Sequence, residues 1–533
     1  MARHSAPCLI AFLTVSCAAA QPVITPTEVV NSASFLHQGL PGSGIAQGSI
    51  FTIFGAGLGP TALVQSGPLP LKPSLGGTSV AVTVAGKTVN ALLLVAVGGQ
   101  INALLPSDTP TGSGTVTVTY NQQTSAPEPV QIVPASFASF TFNAGGYGQA
   151  IATDLNYQVN SIIHTFHPGD WATLWGTGLG PITGDDAIAP PVGSLGTPTV
   201  HVGNTSAQLA YAGRSASYPG LDQVTFQVPS GIQGCSVPVA VESNGLIGGV
   251  AMIAVSASGQ TCTDSLMGSD LVSQLASGGT VSFGLVQLLA IVLRNQSLPT
   301  GIAVPDFGNA TFSRYTPATA GLASYSVSAG YCITTNNPDM SPAQLDAGPG
   351  ITVLGISSAT LPQLYGGEYF LYFNNYAQFF WSDLRYSISG SGGSQIGSFA
   401  VTDTTGIPSA YLSGMVAGQT LPLASDLTVT WTGGDPNLQN GQLVIGGYSS
   451  SSDGTQFGSF MCTAPVSAQK FTIPKWILSQ LPPTGTGYIG IAPYPVGAIW
   501  IGQMNNPVLF QATGLDKGIV VDEFLNGFPV YFK

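Results

Sequence analysis

Charged side chains are scarce in this chain of 533 residues. Asp, Glu, Lys and Arg make up 6% of it, and 11 Lys and Arg stand against 23 Asp and Glu, which gives a formal net charge of −12. These cations are too few to form the basic stripe that neutralises the phosphates of a nucleic acid. A nucleic-acid partner is therefore not expected. Gly and Pro, by contrast, number 69 and 39, and a chain rich in them and poor in Glu and Lys favours short strands joined by turns.

Cysteine and histidine are also rare, with six and five residues. No C-x-x-C spacing and no histidine cluster accompanies the cysteines, so disulfides are favoured over a structural zinc site, and no metal or other cofactor is predicted. Four cysteines lie beyond residue 20, and four allow three pairings. Cys235 begins one apolar stretch and Cys262 follows the next. This spacing predicts a Cys235–Cys262 disulfide and leaves Cys332 to pair with Cys462.

The first twenty residues have the layout of a secretory signal peptide. A basic start precedes an apolar run at residues 9–15, and three alanines at 18–20 offer a cleavage site before Gln21. Lipid attachment at Cys17 is the alternative. Neither this run nor the apolar run at residues 283–293 is long enough to span a bilayer. The expectation is a secreted protein, or one on the outer cell surface, without a transmembrane helix.

A phrase of thirteen residues occurs twice, as GSIFTIFGAGLGP at residues 48–60 and as GDWATLWGTGLGP 121 residues later, at 169–181. Each copy is followed by an apolar alternating stretch, a Gln-led phrase that ends in proline, and a second alternating stretch, TVTVTY or VPVAVES. The chain therefore contains a tandem duplication. Its length suits an immunoglobulin-sized β-sandwich and is too great for a solenoid unit. The predicted repeats are residues 29–135 and 136–262.

The repeated phrase predicts a strand followed by a tight turn. Large apolar residues lead up to Phe54 and Trp175, and the glycines that follow permit positive φ before Pro60 and Pro181. The glycines do not form a dinucleotide fingerprint. That fingerprint needs G-x-G-x-x-G at the start of a helix, whereas here a proline closes the run.

Further short phrases accompany the repeat in a characteristic order: NSASF at 31–35, LGG at 75–77, QIN at 100–102, YAG at 211–213 and PGL at 219–221. With the two glycine phrases, this order resembles the module family called the Solibacter uncharacterised C-terminal domain, over about residues 29–262. The strand-then-glycine phrase is also similar to IPT/TIG immunoglobulin-like domains of surface receptors. The resemblance implies a pair of immunoglobulin-like domains in a secreted bacterial protein and supplies no catalytic residue. The family name implies a C-terminal position, whereas here about 270 residues follow.

The remaining half of the chain has the same β-rich character. A short helix is predicted at residues 270–276 with Ser269 as its cap, and beyond it apolar alternation recurs between Gly, Pro, Asn and Ser. One or two further sandwiches are expected, divided near residue 410 into modules 263–410 and 411–533. The predicted fold class is all-β, with tandem immunoglobulin-like β-sandwiches followed by one or two further β-sandwich modules.

Groups suited to catalysis or metal binding are few. His164 and His167 lie near Asp170, but a metal needs further ligands, and the turn at residues 435–441 lacks the Glu that completes an EF-hand loop. The sequence lacks the G-x-S-x-G motif that presents the nucleophilic serine in many Ser-His-Asp hydrolases. The spacing of the acids does not exclude a carboxylate pair for glycoside hydrolysis. No catalytic residue is predicted. The residues of the turn at 435–441 are therefore either part of an ordinary turn or calcium ligands. The same two interpretations apply to Asp516, Asp522 and Glu523.

Residues 365–386, YGGEYFLYFNNYAQFFWSDLRY, hold ten aromatic side chains among amides and acids. Aromatic faces edged by such groups bind sugars, because the C–H face of a sugar ring stacks on them while its hydroxyls form hydrogen bonds. Alternate residues of a strand point to opposite faces, so residues 369, 371 and 373 form one set and residues 370, 372 and 374 form the other. One of these two sets is expected to pack in the core. The candidate ligand-binding residues are Tyr369, Tyr372, Asn374, Asn375, Tyr376 and Trp381.

These features together predict an exported structural or adhesive surface protein that is not an enzyme. Its expected partners are glycans or other surface proteins, met over neutral faces. The first alternative is carbohydrate binding through residues 365–386, and the second is a polysaccharide or ester hydrolase in the C-terminal half. Two acids that converge in a cleft would favour the hydrolase.

Overall fold

The fold of the protein is all-β, as the sequence predicts, and is known from a computed structural model. The predicted signal peptide, residues 1–20, lies outside the described residues. The structure describes residues 21–190, 193–294, 302–303, 306–323, 327–334, 342–355, 357–373, 385–403, 409–489 and 492–533.

The first unit is an immunoglobulin-like sandwich of two sheets, in the orders β1-β3-β9-β8-β4 and β2-β12-β10-β6-β5, with β7 and β11 attached to the second. Strict alternation in β6 buries Val80, Val82 and Val84, which pack against Val116 and Val118 of β10. Its strands are β1 (Val23–Asn31), β2 (Ile45–Ala46), β3 (Ile50–Ala56), β4 (Val64–Gln65), β5 (Ser74–Leu75), β6 (Thr78–Val84), β7 (Lys87–Asn90), β8 (Leu92–Val97), β9 (Gln100–Leu104), β10 (Gly112–Tyr120), β11 (Gln123–Thr124) and β12 (Glu128–Val133).

The second unit is a sandwich made from one continuous sheet, β13-β15-β19-β18-β17-β20-β21, with β14 and β16 attached. Its core contains Leu174 of β15 and Phe226 of β19 from one side of the sandwich, and Val239 of β20 and Ile253 of β21 from the other. Its strands are β13 (Ala138–Ser139), β14 (Ala152–Thr153), β15 (Trp171–Thr177), β16 (Gly193–Ser194), β17 (Thr199–Val202), β18 (Thr205–Arg214), β19 (Asp222–Gln227), β20 (Gly234–Ser243) and β21 (Leu246–Val255).

The two sandwiches share strand order and register. The orders β3-β9-β8 and β6-β10-β12 correspond to β15-β19-β18 and β17-β20-β21. Within them, Phe54 pairs with Gln100 as Trp175 pairs with Gln223. The two units differ where the ten-residue strand β18 corresponds to β7 and β8, which are separate strands on either side of Ala91. Neither glycine phrase is helical.

Most of the C-terminal half joins a single 15-stranded sheet, in the order β25-β36-β35-β40-β42-β22-β24-β29-β28-β27-β30-β31, with β23, β26 and β41 attached. At its centre β22 and β42 pair in parallel, from Phe283 with Lys517 to Leu293 with Gly527. The strands are β22 (Val281–Leu293), β23 (Ile302–Ala303), β24 (Phe307–Tyr315), β25 (Cys332–Thr334), β26 (Ala343–Gln344), β27 (Gly350–Leu354), β28 (Ser358–Tyr365), β29 (Glu368–Tyr372), β30 (Tyr386–Gly390), β31 (Phe399–Asp403), β32 (Ala410–Ser413), β33 (Thr420–Leu421), β34 (Leu427–Gly433), β35 (Gln442–Ser450), β36 (Phe457–Pro465), β37 (Lys470–Ile473), β38 (Thr486–Ile489), β39 (Ala492–Pro495), β40 (Gly497–Met504), β41 (Val508–Phe510), β42 (Lys517–Pro529) and β43 (Tyr531–Phe532).

The described part of this half contributes to three hydrophobic cores, one of which surrounds α1; the other two differ in which side of residue 410 supplies most of their residues. One contains mainly residues before 410, such as Phe312 and Ile351, together with Val520 of β42. The other contains mainly residues after 410, such as Trp431 and Ile501. Strands from both sides of residue 410 therefore share one sheet, and the division into modules 263–410 and 411–533 stays a prediction.

Helical structure is short. The helix α1 (Ser269–Ala276) lies where the sequence predicts one, but Gly268 is its N-cap residue and Ser269 is already helical, so the predicted serine cap is wrong. The helix buries Leu271, Val272 and Leu275. A second helix, α2 (Lys475–Leu478), follows β37, and three 3₁₀ segments span Pro317–Leu322, Gln439–Gly441 and Val466–Ala468. Of the helices in the described ranges, none has the length and apolar character that a membrane crossing requires.

Both predicted disulfides are confirmed. Cys235 and Cys262 are bonded with their Cα atoms 5.4 Å apart, because the antiparallel return of β20 and β21 brings them together. Cys332 and Cys462 are bonded between directly paired residues of β25 and β36. The first bond closes the end of the second sandwich, and the second joins distant parts of the C-terminal half.

Buried and half-buried polar contacts join the first sandwich to the second. The side-chain oxygen of Thr177, in the second glycine phrase, accepts a hydrogen bond from the Ile50 backbone N–H at 2.9 Å. Ser107 donates to the Asp186 carboxylate from both its backbone N–H and its hydroxyl, each at 2.7 Å. The Ser136 hydroxyl donates to the Gly42 carbonyl oxygen. The repeated phrases thus lie at the junction between the two units.

The second sandwich also packs on the C-terminal half. Its residues Ala240, Ile247 and Val250 belong to the same hydrophobic core as Trp431 and Ile501. At the edge of this junction the His201 ring stacks on Trp476 with centroids 5.3 Å apart. The three parts of the chain are therefore in direct contact through apolar and polar side chains.

Candidate functional site

The predicted ligand-binding residues separate into core, surface and undescribed positions. Tyr369 is 1% exposed, and its hydroxyl accepts a hydrogen bond from the Ala347 N–H and donates one to the Gly348 carbonyl oxygen. It is therefore a core residue, and its assignment to a ligand is wrong. Tyr372 is 54% exposed. Four further candidates lie outside the described residues: Asn374, Asn375, Tyr376 and Trp381.

The burial of β29 follows the predicted alternation. Tyr369 packs edge-on against Phe312 inside the sheet, and Phe373 is buried as well. Phe370 and Tyr372 point to the opposite face, where they are half-buried and exposed. Within the described part of this segment, the set that contains Phe370 and Tyr372 is thus the one available to a ligand.

Three aromatic rings form a cluster on the open face of the sheet. Phe370 and Tyr372 lie edge to face with centroids 4.6 Å apart, and Phe307 of β24 is 5.8 Å from Phe370 and 6.1 Å from Tyr372. Phe307 is brought there because it pairs directly with Tyr372 across the β24–β29 ladder. We call Phe307, Phe370 and Tyr372 the aromatic face.

A row of polar side chains continues from the aromatic face across the same side of the sheet. Asn309 pairs with Phe370 on one side and with Gln287 on the other. Gln287 donates a hydrogen bond of 3.4 Å to Glu523 of β42. The side-chain oxygen of Asn309 is buried and has no hydrogen-bond partner. Amide and carboxylate groups beside aromatic rings form the kind of surface that binds sugars.

Glu523 at the end of this row is buried, and burial raises its pKa from 4.5 to about 7, although the Gln287 hydrogen bond opposes the shift. Its side chain therefore changes charge near neutral pH. Sequence reasoning did not assign Phe307, Gln287 or Asn309 to the site. The alternation F-G-N-A-T at residues 307–311 indicates their shared face, but only the register with β22 and β29 brings them to the aromatic residues.

A pair of acids also converges in the C-terminal half. The side chains of Asp522 and Asp403 are hydrogen-bonded to each other, and Asn505 donates to Asp403 at 2.7 Å. Burial, with the nearby Asp403 carboxyl, raises the pKa of Asp522 well above its ordinary range. Both acids are buried, and they share a hydrogen bond instead of leaving a gap for a sugar bond, which needs about 5 Å or more between carboxyl groups. The geometry of this one pair therefore differs from that of two catalytic glycosidase acids.

The candidate metal residues have other partners. His167 Nδ1 lies 3.0 Å from an Asp170 carboxylate oxygen and Nε2 lies 2.8 Å from the Gly259 carbonyl oxygen. Asp435 accepts hydrogen bonds from the backbone and side-chain nitrogens of Asn437, as in an ordinary Asx turn. Asp516 accepts one from the Ser282 N–H. Among the described residues, no group of three or more His, Cys, Asp and Glu is placed to hold a metal ion, and His164 joins none.

Comparison with known proteins gives no family. No family model matches the chain, so the resemblance to the Solibacter uncharacterised C-terminal domain stays a prediction. No curated protein matches either.

Among solved structures, the chain is similar to several extracellular or surface proteins of immunoglobulin-like or related architecture. A Bacteroides ovatus glucan-utilisation protein, SGBP-B, solved with a mixed-linkage heptasaccharide, is 11% identical over 86% of this chain and 96% of its own, with a TM-score of 0.16. The S-layer protein SbsC is 12% identical over 95% of this chain and 55% of its own, with a TM-score of 0.19. Plexin A4 is 16% identical over 46% of this chain, with a TM-score of 0.17, and the match spans a fifth of its length, 20%. At these TM-scores the proteins do not superpose as wholes, so no function is carried over.

Proposed function

We propose that this protein is an exported structural or adhesive protein of the cell surface that acts by display and contact and not by catalysis. The observation that carries the proposal is the construction of its junctions. Hydrogen bonds such as Ile50 to Thr177 fix the first sandwich on the second, and a shared hydrophobic core fixes the second on the C-terminal half. Such contacts hold successive units in one arrangement, as suits a protein that presents a surface at a distance.

Export is supported by two independent features. Residues 1–20 have the composition of a signal peptide, and both disulfides join cysteines of the predicted mature chain. Disulfides form and persist in oxidising compartments outside the cytosol. The low density of charge leaves neutral polar faces, over which a partner is held by hydrogen bonds and aromatic contact.

A hydrolase screen and an attachment assay test the proposal together. Purified mature protein is expected to give no turnover on polysaccharides, esters or peptides. Beads that carry it are expected to be retained on surfaces coated with glycans or with cell-envelope proteins, relative to beads that carry albumin. Turnover that is abolished by replacing one Asp, Glu, Ser or His would contradict the proposal, as would retention no greater than that of albumin beads on every surface.

Carbohydrate binding through the aromatic face is the second candidate function. The specific observation in its favour is the exposure of Tyr372 beside Phe370 and Phe307, with the amides of Asn309 and Gln287 along the same face. A buried ring such as Tyr369 contributes to the core, whereas an exposed ring gains from being covered by a sugar.

A glycan array on the mature chain tests this candidate. Binding should weaken about tenfold in Tyr372→Ala, because the stacking surface is lost while the fold is kept. Tyr488→Ala is the matched control, since Tyr488 is also exposed, at 68% against 54% for Tyr372, but belongs to β38, outside the aromatic face. Equal loss in both variants, or no loss in either, would exclude the aromatic face as the binding surface.

A further inference from the structure

A cavity of about 570 Å³ lies between the second sandwich and the C-terminal half. One wall is the segment after β21, with Ser256, Thr261 and Asp264, and it includes the Cys235–Cys262 disulfide. The opposite wall is the start of β35, with Gln442, and the neighbouring Met504. Cavities of this size at junctions between units are common ligand sites.

The walls of the cavity are held by one hydrogen bond that crosses the junction and by one within the C-terminal half. Ser328, on the lining, accepts a hydrogen bond from the Ser236 N–H through its hydroxyl at 2.8 Å. Its carbonyl oxygen accepts another from the Thr463 hydroxyl at 2.9 Å. The Cys235–Cys262 disulfide fixes the wall that follows β21. A cavity built in this way costs little to organise when a ligand enters.

The chemistry of the lining selects a neutral ligand that carries hydroxyl groups. The lining contains no Lys, Arg or His, and its one acid, Asp264, accepts hydrogen bonds from the backbone N–H groups of Leu266 and Met267. An anion would find no cation there, and one oxygen of the acid, Asp264 Oδ1, already accepts both of these backbone hydrogen bonds. The lining combines hydroxyl and amide groups with apolar side chains, which include Val327, Leu443 and Val444. The polar members of the lining include Ser256, Ser258, Thr261, Thr263, Ser265 and Asn440.

One polar group in the lining lacks a partner. The side-chain oxygen of Gln442 is buried and accepts no hydrogen bond, while the backbone oxygen of the same residue accepts one from Gln503. Because that oxygen is screened from solvent, a ligand hydroxyl reaches it only when the Gln442 amide turns toward the cavity. The contact then removes the cost of about 1–3 kcal/mol that a buried acceptor without a partner carries. The same contact orients the ligand.

We propose that this cavity binds a small neutral polyhydroxyl compound of the size of a monosaccharide or disaccharide, with Gln442 as the hydrogen-bond acceptor. The site shares no lining residue with the aromatic face, so it does not depend on either function proposed above. It places a soluble ligand at the joint between two units, where binding would also strengthen the junction.

Calorimetric titration of the mature protein with neutral sugars tests the site. The probes are glucose, galactose, mannose, xylose, cellobiose and maltose, with glucuronate and glucosamine as charged counterparts. We expect at least one neutral probe to bind, and to bind about tenfold more weakly in Gln442→Leu, because the variant cannot accept its hydrogen bond. Ala329→Trp, which places a large ring in the lining from an exposed position, should abolish binding.

Matched variants keep the outcome decisive. Ala62→Trp adds the same ring at an exposed position of the first sandwich, and Tyr372→Ala alters only the aromatic face; both should bind as the natural protein does. Circular dichroism and thermal melting confirm that each variant is folded. The proposal is overturned if no neutral probe binds the natural protein, if a charged counterpart binds more tightly, if binding survives Ala329→Trp, or if Tyr372→Ala removes it.

Discussion

The Arg214 guanidinium and the Asp222 carboxylate form a buried ion pair of 2.6 Å beside the second glycine phrase. The other carboxylate oxygen accepts hydrogen bonds from the backbone N–H groups of Gly178 and Leu179, and Arg214 donates to the Gly180 carbonyl oxygen. The pair thus binds the backbone of the glycine phrase from both sides. Because Gly48 of the first phrase also lies against Arg214, the pair supports the junction of the two sandwiches as well.

Replacing Asp222 by Asn is expected to destabilise the protein strongly. The change leaves the Arg214 charge buried without its partner, which costs about 3–5 kcal/mol of unfolding free energy. Denaturant unfolding followed by tryptophan fluorescence measures the loss. Asp108→Asn is the control, because the Lys87–Asp108 pair has a similar distance of 2.7 Å but is exposed, and exposed pairs contribute about 1 kcal/mol or less. Similar losses in both variants would contradict the structural role of the buried pair.

The two disulfides should differ in their contribution to stability. Cys332 and Cys462 close a loop of 130 residues, whereas Cys235 and Cys262 close one of 27. Loop entropy alone gives about 5 and about 3.5 kcal/mol for these lengths, because the longer loop restricts the unfolded chain more. Melting temperatures of the Cys→Ser double variants measure the two losses. A greater loss without Cys235–Cys262 would show that the entropy of the unfolded chain does not set the order.

Stability should fall as the pH rises toward neutrality, because of Glu523. Burial raises the pKa of this residue from 4.5 to about 7, so the folded state holds the proton more tightly than the unfolded state does. The resulting stabilisation is fully present below pH 4.5 and is lost as the pH rises to about 7, by on the order of 3 kcal/mol. Asp222, whose pKa burial raises from 3.8 to about 6, acts in the same direction at lower pH.

Melting curves recorded at about pH 5 and about pH 7.5 test this dependence. Glu523→Gln should reduce the difference between the two melting temperatures, since its side chain does not titrate. Asp453→Asn is the control: hydrogen bonds from Ser451 and Thr455 hold the pKa of Asp453 at about 2, so it stays charged throughout this range. An unchanged difference in Glu523→Gln would show that another group causes the pH dependence.

Tyr369 and Tyr372 should respond oppositely to truncation. Tyr369→Ala removes a ring that packs against Phe312 and leaves the Ala347 N–H without its acceptor, so a loss of about 3–5 kcal/mol is expected. Tyr372→Ala removes an exposed ring and should change the unfolding free energy by less than about 1 kcal/mol. Denaturant unfolding of both variants measures the difference. Comparable losses would mean that the two faces of β29 do not differ in burial as described.

Local pattern in the sequence predicts much of the fold and little of the site. Alternation and glycine phrases repeat at short range, so they indicate the duplicated sandwiches, and the positions of the cysteines predict both disulfides. The parallel pairing of β22 with β42 joins residues more than 200 positions apart, and no local pattern records it. The contact of Gln287 with Glu523 depends on that pairing. The site could therefore not be assembled from the sequence, although the exposure of one aromatic set could be predicted from its alternation.

The glycine that follows Phe54 or Trp175 in each repeated phrase gives the sharpest test of the duplication. Gly55 pairs with Ile24 and Gly176 pairs with Ser139, and in each unit a Cβ atom on the glycine would lie against a carbonyl oxygen of the neighbouring strand, that of Val23 or of Ala138. Elsewhere, Gly→Ala in a strand is neutral or stabilising because it restricts the unfolded chain.

At these two positions the overlap should reverse the sign, so that Gly55→Ala and Gly176→Ala each lower the unfolding free energy by about 1–3 kcal/mol. Gly67→Ala and Gly193→Ala are matched controls in the same two units, because a Cβ atom there meets no atom within 4 Å. Differential scanning calorimetry of the four variants measures the melting temperatures. Equivalent backbone positions must give equivalent losses, so a variant of one phrase that melts like its control, while the other loses stability, would show that the two copies no longer hold the same structure.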